Sequence, residues 1–156
     1  NPIEPAPEPK PEPKPKPEPK PEPKPEPKPK PRKNEDLNIP ADAAKKNDLS
    51  FLEGCWQSDT GLFSHPSNTP IIAEYCFDKK GRRFVREENG QVCSGPATAK
   101  FEGNRLVWRA GSAPCPKGNQ YVPQQVQCTG NDKSTRCQGV EQSKRNLRWK
   151  ADFKRK

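Results

Sequence analysis

The first 50 residues of this 156-residue chain contain no cysteine, no glycine and no aromatic residue. Of the 22 prolines, 16 fall within the first 40 residues. A segment of this composition cannot bury enough apolar surface to fold alone, so we expect the foldable part to begin near residue 46. The remaining residues are enough for one small domain and too few for two.

Features of membrane and metal proteins are also missing. No apolar run is long enough to span a bilayer. The chain has a single histidine, His65, and no Cys-x-x-Cys pair, whereas zinc sites usually need closely spaced ligands. We therefore expect no metal and no cofactor. The chain starts at Asn1 rather than at Met, so we expect that an export segment or a membrane anchor once preceded it.

Catalytic motifs are missing as well. There is no Gly-x-Ser-x-Gly elbow, and nothing in the sequence places a nucleophile beside His65. Glu87 and Glu88 are adjacent, so on a strand their carboxylates would point to opposite faces rather than form an acid pair. The sequence therefore predicts no catalytic residues and favours a non-enzymatic protein.

Six cysteines lie in the last two thirds of the chain. This density in a small domain indicates three disulfides and an oxidising compartment. Six cysteines allow 15 pairings, and spacing alone cannot choose among them. A meander of strands favours partners that are neighbours in sequence, which would give Cys55–Cys76, Cys93–Cys115 and Cys128–Cys137.

Proline occupies every odd position from Pro5 to Pro31, and the residues between are almost all Glu or Lys. Each proline fixes its own φ and extends its neighbour, which favours a polyproline II stalk reaching roughly 80 Å. The tract resembles the Pro-Glu/Pro-Lys segment of the TonB family, which bridges the periplasm. We expect a stalk over 1–33, a linker over 34–48 with a helical turn near 41–46, and a β domain over 49–156.

The β domain consists of short runs separated by turn residues, typical of an antiparallel meander. The clearest run is 147–154, where apolar and charged residues alternate without exception. Eight strands are predicted, over 50–57, 71–77, 82–87, 91–101, 105–110, 120–128, 136–142 and 147–154. The fold class is therefore all-β, with a small disulfide-stapled barrel favoured and a sandwich as the alternative.

The start of the β domain carries a family resemblance. Leu52-Glu53-Gly54-Cys55-Trp56, followed by Ser58-Asp59-Thr60-Gly61-Leu62, resembles the opening of the calycins, the lipocalin and avidin-like barrels. The resemblance implies a barrel with an apolar cavity and Trp56 packed at its closed end. It departs from the lipocalin pattern in placing Cys55 between the glycine and the tryptophan. The aromatic residues expected in the barrel core are Trp56, Tyr75, Trp108 and Trp149.

Charge is concentrated in the β domain, since residues 41–156 carry about +8 of the total +9. Such a field attracts an anionic partner. We expect a basic binding face formed by Arg82, Arg83, Arg86, Arg105, Arg109, Arg148 and Lys150. Outside the cytoplasm the partner would be lipopolysaccharide, wall polymer, lipid headgroups or a protein. The compartment argues against nucleic acid, and a membrane would be reached only through a segment upstream of Asn1.

Together these features favour a non-catalytic binding or adaptor domain. It would be displayed on a stalk in the periplasm or at the cell surface of a Gram-negative bacterium. A calycin-type carrier of a small apolar ligand is the second hypothesis. A secreted hydrolase or virulence effector is the third.

Overall fold

The structure, a computed structural model, describes residues 3–19, 21, 31–59, 61–131 and 134–156. Within the stalk, residues 3–19 and 21 are exposed and form neither helix nor strand. The polyproline II conformation of 1–33 stays a prediction, and part of that tract lies outside the described residues.

The described elements are nearly all strands. A one-turn helix α1 (Ala43–Lys46) and a 3₁₀ helix (Ser50–Leu52) come first, and among the described residues neither these nor any other helix is long and apolar enough to cross a membrane. The strands are β1 Cys55–Ser58, β2 Leu62–Phe63, β3 Pro70–Phe77, β4 Gly81–Glu87, β5 Val92–Glu102, β6 Arg105–Ala110, β7 Ala113–Pro114, β8 Gln120–Tyr121, β9 Gln124–Asn131, β10 Ser134–Glu141, β11 Arg148–Ala151 and β12 Phe153–Arg155.

The main sheet follows the order β11-β10-β9-β6-β5-β4-β3-β1-β12, and all its pairings are antiparallel. β11 and β12 are two halves of one final stretch that is interrupted at Asp152. The first half pairs with β10, where Trp149 lies opposite Gly139, and the second pairs with β1, where Phe153 lies opposite Ser58. The sheet therefore nearly closes into the eight-stranded antiparallel barrel that the alternation predicts.

The first strand begins later than the sequence suggested. Residues 50–52 form the 3₁₀ helix, and the strand starts only at Cys55. Gly54 has φ +106°, a conformation that side chains rarely adopt, and it turns the chain from helix into strand. The predicted strand over 50–57 was therefore wrong in its first half.

The barrel core is built from rings that face inward on different strands. The Tyr75 and Trp108 ring centroids lie 4.9 Å apart, and those of Trp108 and Phe153 lie 5.0 Å apart in an edge-to-face arrangement. Trp56, Tyr75 and Trp108 are all buried, as predicted. Such contacts add to the stabilisation that burial of the rings already provides.

One end of the barrel is closed by the 3₁₀ helix. Trp56 Nε1 donates a 2.9 Å hydrogen bond to the carbonyl oxygen of Leu52, and the Arg155 guanidinium lies 4.2 Å from the centroid of the Trp56 ring. Arg155 also donates to the carbonyl oxygens of Phe51 and Glu53. The last strand is thereby tied to the segment that precedes the first.

Part of the predicted linker over 34–48 packs on the barrel through a few buried residues. Leu37 and Ile39 are 3% and 4% exposed and belong to the main core. The Leu37 N–H donates to Phe153 O, and the Ile39 N–H donates to Thr135 Oγ1. This segment therefore fills the gap between β12 and the part of β10 that β11 does not cover. Backbone contacts to the barrel begin at Asn34, whose N–H donates to Arg155 O.

Three disulfides join the strands, and their pairs are the ones expected from sequence neighbours: Cys55–Cys76, Cys93–Cys115 and Cys128–Cys137. Among the described residues there is no free cysteine. Three disulfides in one small domain are consistent with an oxidising, extracytoplasmic environment.

Candidate functional site at the open end of the barrel

A cavity of about 680 Å³ occupies the end of the barrel that lies away from Trp56. Inward-facing residues of β3, β4 and β11 form its wall, and the segments 61–68, 119–122 and 141–148 surround its mouth. Cavities of this size are typical of small-molecule sites. An eight-stranded barrel is just wide enough to hold one such ligand.

Tyr75 and Arg83 lie side by side in the wall of this cavity. They are directly opposite each other on β3 and β4, and they are 2% and 4% exposed. Arg83 Nη1 donates to the carbonyl oxygens of Gly111 and Val122, both at 2.8 Å. This arginine thereby holds both ends of the connection between β6 and β9.

The placement of Arg83 on an exposed basic face was wrong. Adjacent residues of a strand point to opposite faces, so Arg82 and Arg83 cannot both face solvent. Arg82 points outward, where its Nη2 donates to Ser94 Oγ at 2.9 Å. Arg83 points into the barrel instead.

Arg83 is a buried cation without a counter-ion. Within the described parts of the chain it forms no ion pair, and its recorded acceptors are two neutral carbonyl oxygens. Burial lowers the pKa of the Arg83 guanidinium, and burial raises the pKa of the Tyr75 phenol to about 12. Both shifts follow from the removal of these groups from water, which disfavours their charged forms.

Two acidic groups line the cavity, Glu87 and Glu141, and among the described residues only Glu141 forms an ion pair. The Tyr121 hydroxyl donates a hydrogen bond to Glu87 Oε2 at 2.7 Å. Burial raises the pKa of this phenol most, and the hydrogen bond to Glu87 raises it further. Glu141, which is buried, accepts hydrogen bonds from Arg145 at 2.8 Å and from Ser143 at 2.7 Å. Burial alone would raise the pKa of Glu141, but these donors lower it.

Arg145 also joins two loops that are far apart in sequence. It donates from Nη1 to Nδ1 of His65, across 80 residues of chain. Asp59, the nearest acidic residue before His65 in the sequence, forms an ion pair with Lys154 at 3.2 Å. Among the described residues, His65 therefore links the segments 61–68 and 141–148 at the cavity mouth and forms no catalytic triad.

Trp149 lies in the cavity wall rather than deep in the barrel core. It is only partly buried, and its Nε1 donates to Gln124 Oε1 at 2.8 Å. The indole lies over Gly139, where a Cβ atom would come within 1.9 Å of Trp149 Cε2. Gly139 is therefore required to admit this ring.

The other predicted basic residues do not form one face. Arg82 and Arg86 are on β4, Arg105 and Arg109 are on β6, and Arg148 and Lys150 are on β11. One strand separates the first pair from the second, and two strands separate the second pair from the third. Arg86 is paired with Glu74, Arg109 is paired with Glu102, and Arg105 donates to Gln127.

Glu74 is a buried carboxylate on the outside of β3. Burial would raise its pKa, but hydrogen bonds from Arg86, Gln57 and Lys156 lower it below the usual value. Side-chain atoms of Cys55, Glu74 and Cys76 lie within 4.8 Å of one another, a spacing that would suit a metal. The two sulfur atoms are joined in a disulfide and offer no thiolate ligand.

Sequence reasoning missed the residues of the cavity mouth, namely Glu87, Tyr121, Glu141 and Arg145. The alternation of β4 could have indicated Glu87, because Arg83, Val85 and Glu87 are alternate residues and therefore face the same side of the strand. The mouth loops carried no comparable pattern.

Comparisons of the chain with protein-family models, with curated proteins and with solved structures find no significant match.

Proposed function

We propose that this protein is a non-catalytic, extracytoplasmic binding protein that holds a small ligand inside its barrel, in the manner of a calycin-type carrier. The observation that carries the proposal is the cavity of about 680 Å³ at the open end of the barrel. Apolar and aromatic side chains line it together with about as many polar and charged ones, and a concave site with convergent polar groups is the usual starting point for a small-molecule site.

The architecture of the closed end supports the same proposal. The resemblance to calycins places the Gly-x-Trp tryptophan at the closed end of a barrel. Trp56 packs there, between the 3₁₀ helix and the Arg155 side chain. The cavity of about 680 Å³ lies at the other end, while a second one of about 540 Å³ lies beside the 3₁₀ helix, lined by Leu52, Phe77 and Ala99.

The location of the protein is part of the proposal. The disulfides favour an oxidising compartment, and the Pro-Glu-Lys tract favours a stalk. We infer a domain in the Gram-negative periplasm or at the cell surface, displayed away from a membrane by residues 1–33.

Titration of the full-length oxidised protein with N-phenyl-1-naphthylamine tests the proposal, because this neutral probe fluoresces strongly in apolar surroundings. We expect saturable binding of one probe per chain. Ala73→Trp should weaken it strongly, since Ala73 faces the cavity. Ile72→Trp is the matched control, because Ile72 is the adjacent residue and is 43% exposed on the outside. Absence of saturable binding, or equal effects of the two substitutions, would overturn the proposal.

An adaptor for an anionic envelope component is the second candidate function. Arg148 and Lys150 support it, because both are exposed at the cavity rim and neither forms an ion pair with the described residues. Binding to phosphatidylglycerol vesicles should then fall steeply with salt and with Arg148→Gln/Lys150→Gln. Arg105→Gln, on a distant strand, is the control. Salt-independent binding or equal loss in the control would overturn this candidate.

A further inference from the structure

Arg83 and Tyr75 form a polar floor in the proposed small-ligand site. Some of their hydrogen-bond donors are not used by the described residues. Arg83 donates from Nη1 alone to the described residues, which leaves Nε and Nη2 without a protein acceptor there. The Tyr75 hydroxyl likewise forms no hydrogen bond with the residues that the structure describes. In the described part of the chain, Trp108 Nε1 is the one side-chain nitrogen or oxygen that is both sealed from solvent and without a partner.

It follows that the free donors of Arg83 and Tyr75 are not sealed inside the protein. Both residues line the cavity, so the space that these donors reach is the cavity itself. They lie opposite each other on adjacent strands and face the same way. A guanidinium and a phenol hydroxyl placed together offer up to four N–H and O–H donors to a single group.

The charges around the cavity determine which group that would be. Glu141 forms an ion pair with Arg145, whereas Glu87, nearer the mouth, accepts hydrogen bonds from the neutral Tyr121 and Gln91 and has no counter-ion among the described residues. Arg148 and Lys150 add positive charge at the rim. Arg83 remains as a cation buried without a carboxylate, and a buried charge without compensation is unfavourable. An anion at this position would compensate it with strong, charge-assisted hydrogen bonds.

The rest of the wall is suited to an apolar body. The Trp149 indole, Ala73, Val85 and Leu62 surround the space between the floor and the mouth. At the rim, Phe63 and Leu147 are exposed large hydrophobic residues. A ligand with one anionic end and an apolar remainder would therefore contact these apolar side chains beyond the anion, with polar residues of the segments 61–68 and 119–122 around the mouth.

We infer that the cavity binds a small organic anion, with its carboxylate, sulfonate or phosphate held by Arg83 and the Tyr75 hydroxyl and its apolar part against Trp149. This inference rests on the proposed function and specifies the chemical class of its ligand. Arg83 would then have two roles, since its Nη1 also anchors the connection between β6 and β9.

A matched pair of probes tests the inference separately from the proposed function. 8-Anilinonaphthalene-1-sulfonate and N-phenyl-1-naphthylamine share one aromatic body, and only the first carries an anion. We expect the sulfonate to bind the full-length protein at least about tenfold more tightly than the neutral probe. Tyr75→Phe should weaken the sulfonate about three- to tenfold and leave the neutral probe unchanged.

Arg83→Met should abolish the preference for the sulfonate, and Arg83→Lys should retain part of it. Arg83 also anchors a loop, so the folding of Arg83→Met is checked by near-ultraviolet circular dichroism. If that variant does not fold, Tyr75→Phe alone tests the inference. Equal affinities for the two probes, or a Tyr75→Phe variant that weakens neither, would overturn the inference while the small-ligand function stands. Failure of both probes to bind would remove the proposed function itself.

Discussion

The Arg155 guanidinium lies over the Trp56 ring, 4.2 Å from its centroid, and donates to the carbonyl oxygens of Phe51 and Glu53. A residue from the end of the chain thus covers the first strand and caps the 3₁₀ helix before it. It also forms an ion pair with Glu35 at 3.3 Å. Arg155 therefore joins three parts of the chain at the closed end of the barrel.

Replacement of Arg155 by Ala should therefore lower the free energy of unfolding by about 2–4 kcal/mol, since a cation–π contact and hydrogen bonds from a charged group are lost together. Urea denaturation of the oxidised protein measures this change. Lys154→Ala is the control, because the Lys154 side chain is 40% exposed and its ion pair with Asp59 is open to solvent. A loss no larger than that of the control would contradict the role given to Arg155.

Truncation distinguishes the stalk from the domain. Removal of residues 1–33 should leave the unfolding midpoint of the remaining chain unchanged. Removal of residues 1–45 should lower the unfolding free energy by about 3–6 kcal/mol, because burial of Leu37 and Ile39 is lost. Thermal denaturation of the two truncated chains compares them directly. Equal midpoints would show that residues 34–45 do not belong to the folded unit.

Gly139 offers a test of the cavity wall. Gly139→Ala should lower stability by about 1–3 kcal/mol and change Trp fluorescence, because its Cβ would overlap the Trp149 indole. Gly61→Ala is a suitable control, since a Cβ there would make only ordinary contact with Phe63 at 3.8 Å. An unchanged emission spectrum in Gly139→Ala would mean that the indole does not lie over this glycine.

Glu74 should make stability depend on acid pH. Its pKa in the folded protein is lowered, so the carboxylate stabilises the fold above its unfolded pKa and loses that effect as pH falls through the folded pKa. The unfolding free energy of the native protein should therefore fall as pH drops below about 4.5, the ordinary value. Glu74→Gln should be less stable near neutral pH, and its stability should fall less on acidification.

Glu88→Gln provides the comparison for that experiment, because Glu88 is exposed and forms no ion pair with the described residues. Its stability should follow that of the native protein across the acid range. If Glu74→Gln also follows the native curve, the ion pairs of Glu74 with Arg86 and Lys156 do not stabilise the fold.

Much of the fold could be predicted from the sequence, because strands with one buried face alternate with period two. The alternation of Leu147, Trp149, Ala151 and Phe153 marked the final stretch as a strand. It could not reveal the interruption at Asp152, since that break depends on which neighbour each half pairs with. The tight turns favoured a meander, and the disulfide partners followed from it.

What could not be predicted depended on contacts between distant parts of the chain. Leu37 and Ile39 stand alone in a polar stretch, so nothing local indicates that they pack beside Phe153 and Thr135. Arg83 was assigned to the surface because arginine is usually exposed, although its parity on β4 places it inside. The cavity mouth is formed by loops, whose positions follow from the closed barrel and not from a sequence pattern.

The central claim is that the open end of the barrel, and not its outer surface, is the binding site. The most direct test follows the indole N–H resonances of the ¹⁵N-labelled full-length protein during titration with 8-anilinonaphthalene-1-sulfonate. Trp149 lines the cavity, whereas Trp56 packs at the closed end. We predict a saturable shift of the Trp149 resonance while that of Trp56 stays in place. An unmoved Trp149 resonance, or equal movement of both, would contradict the account.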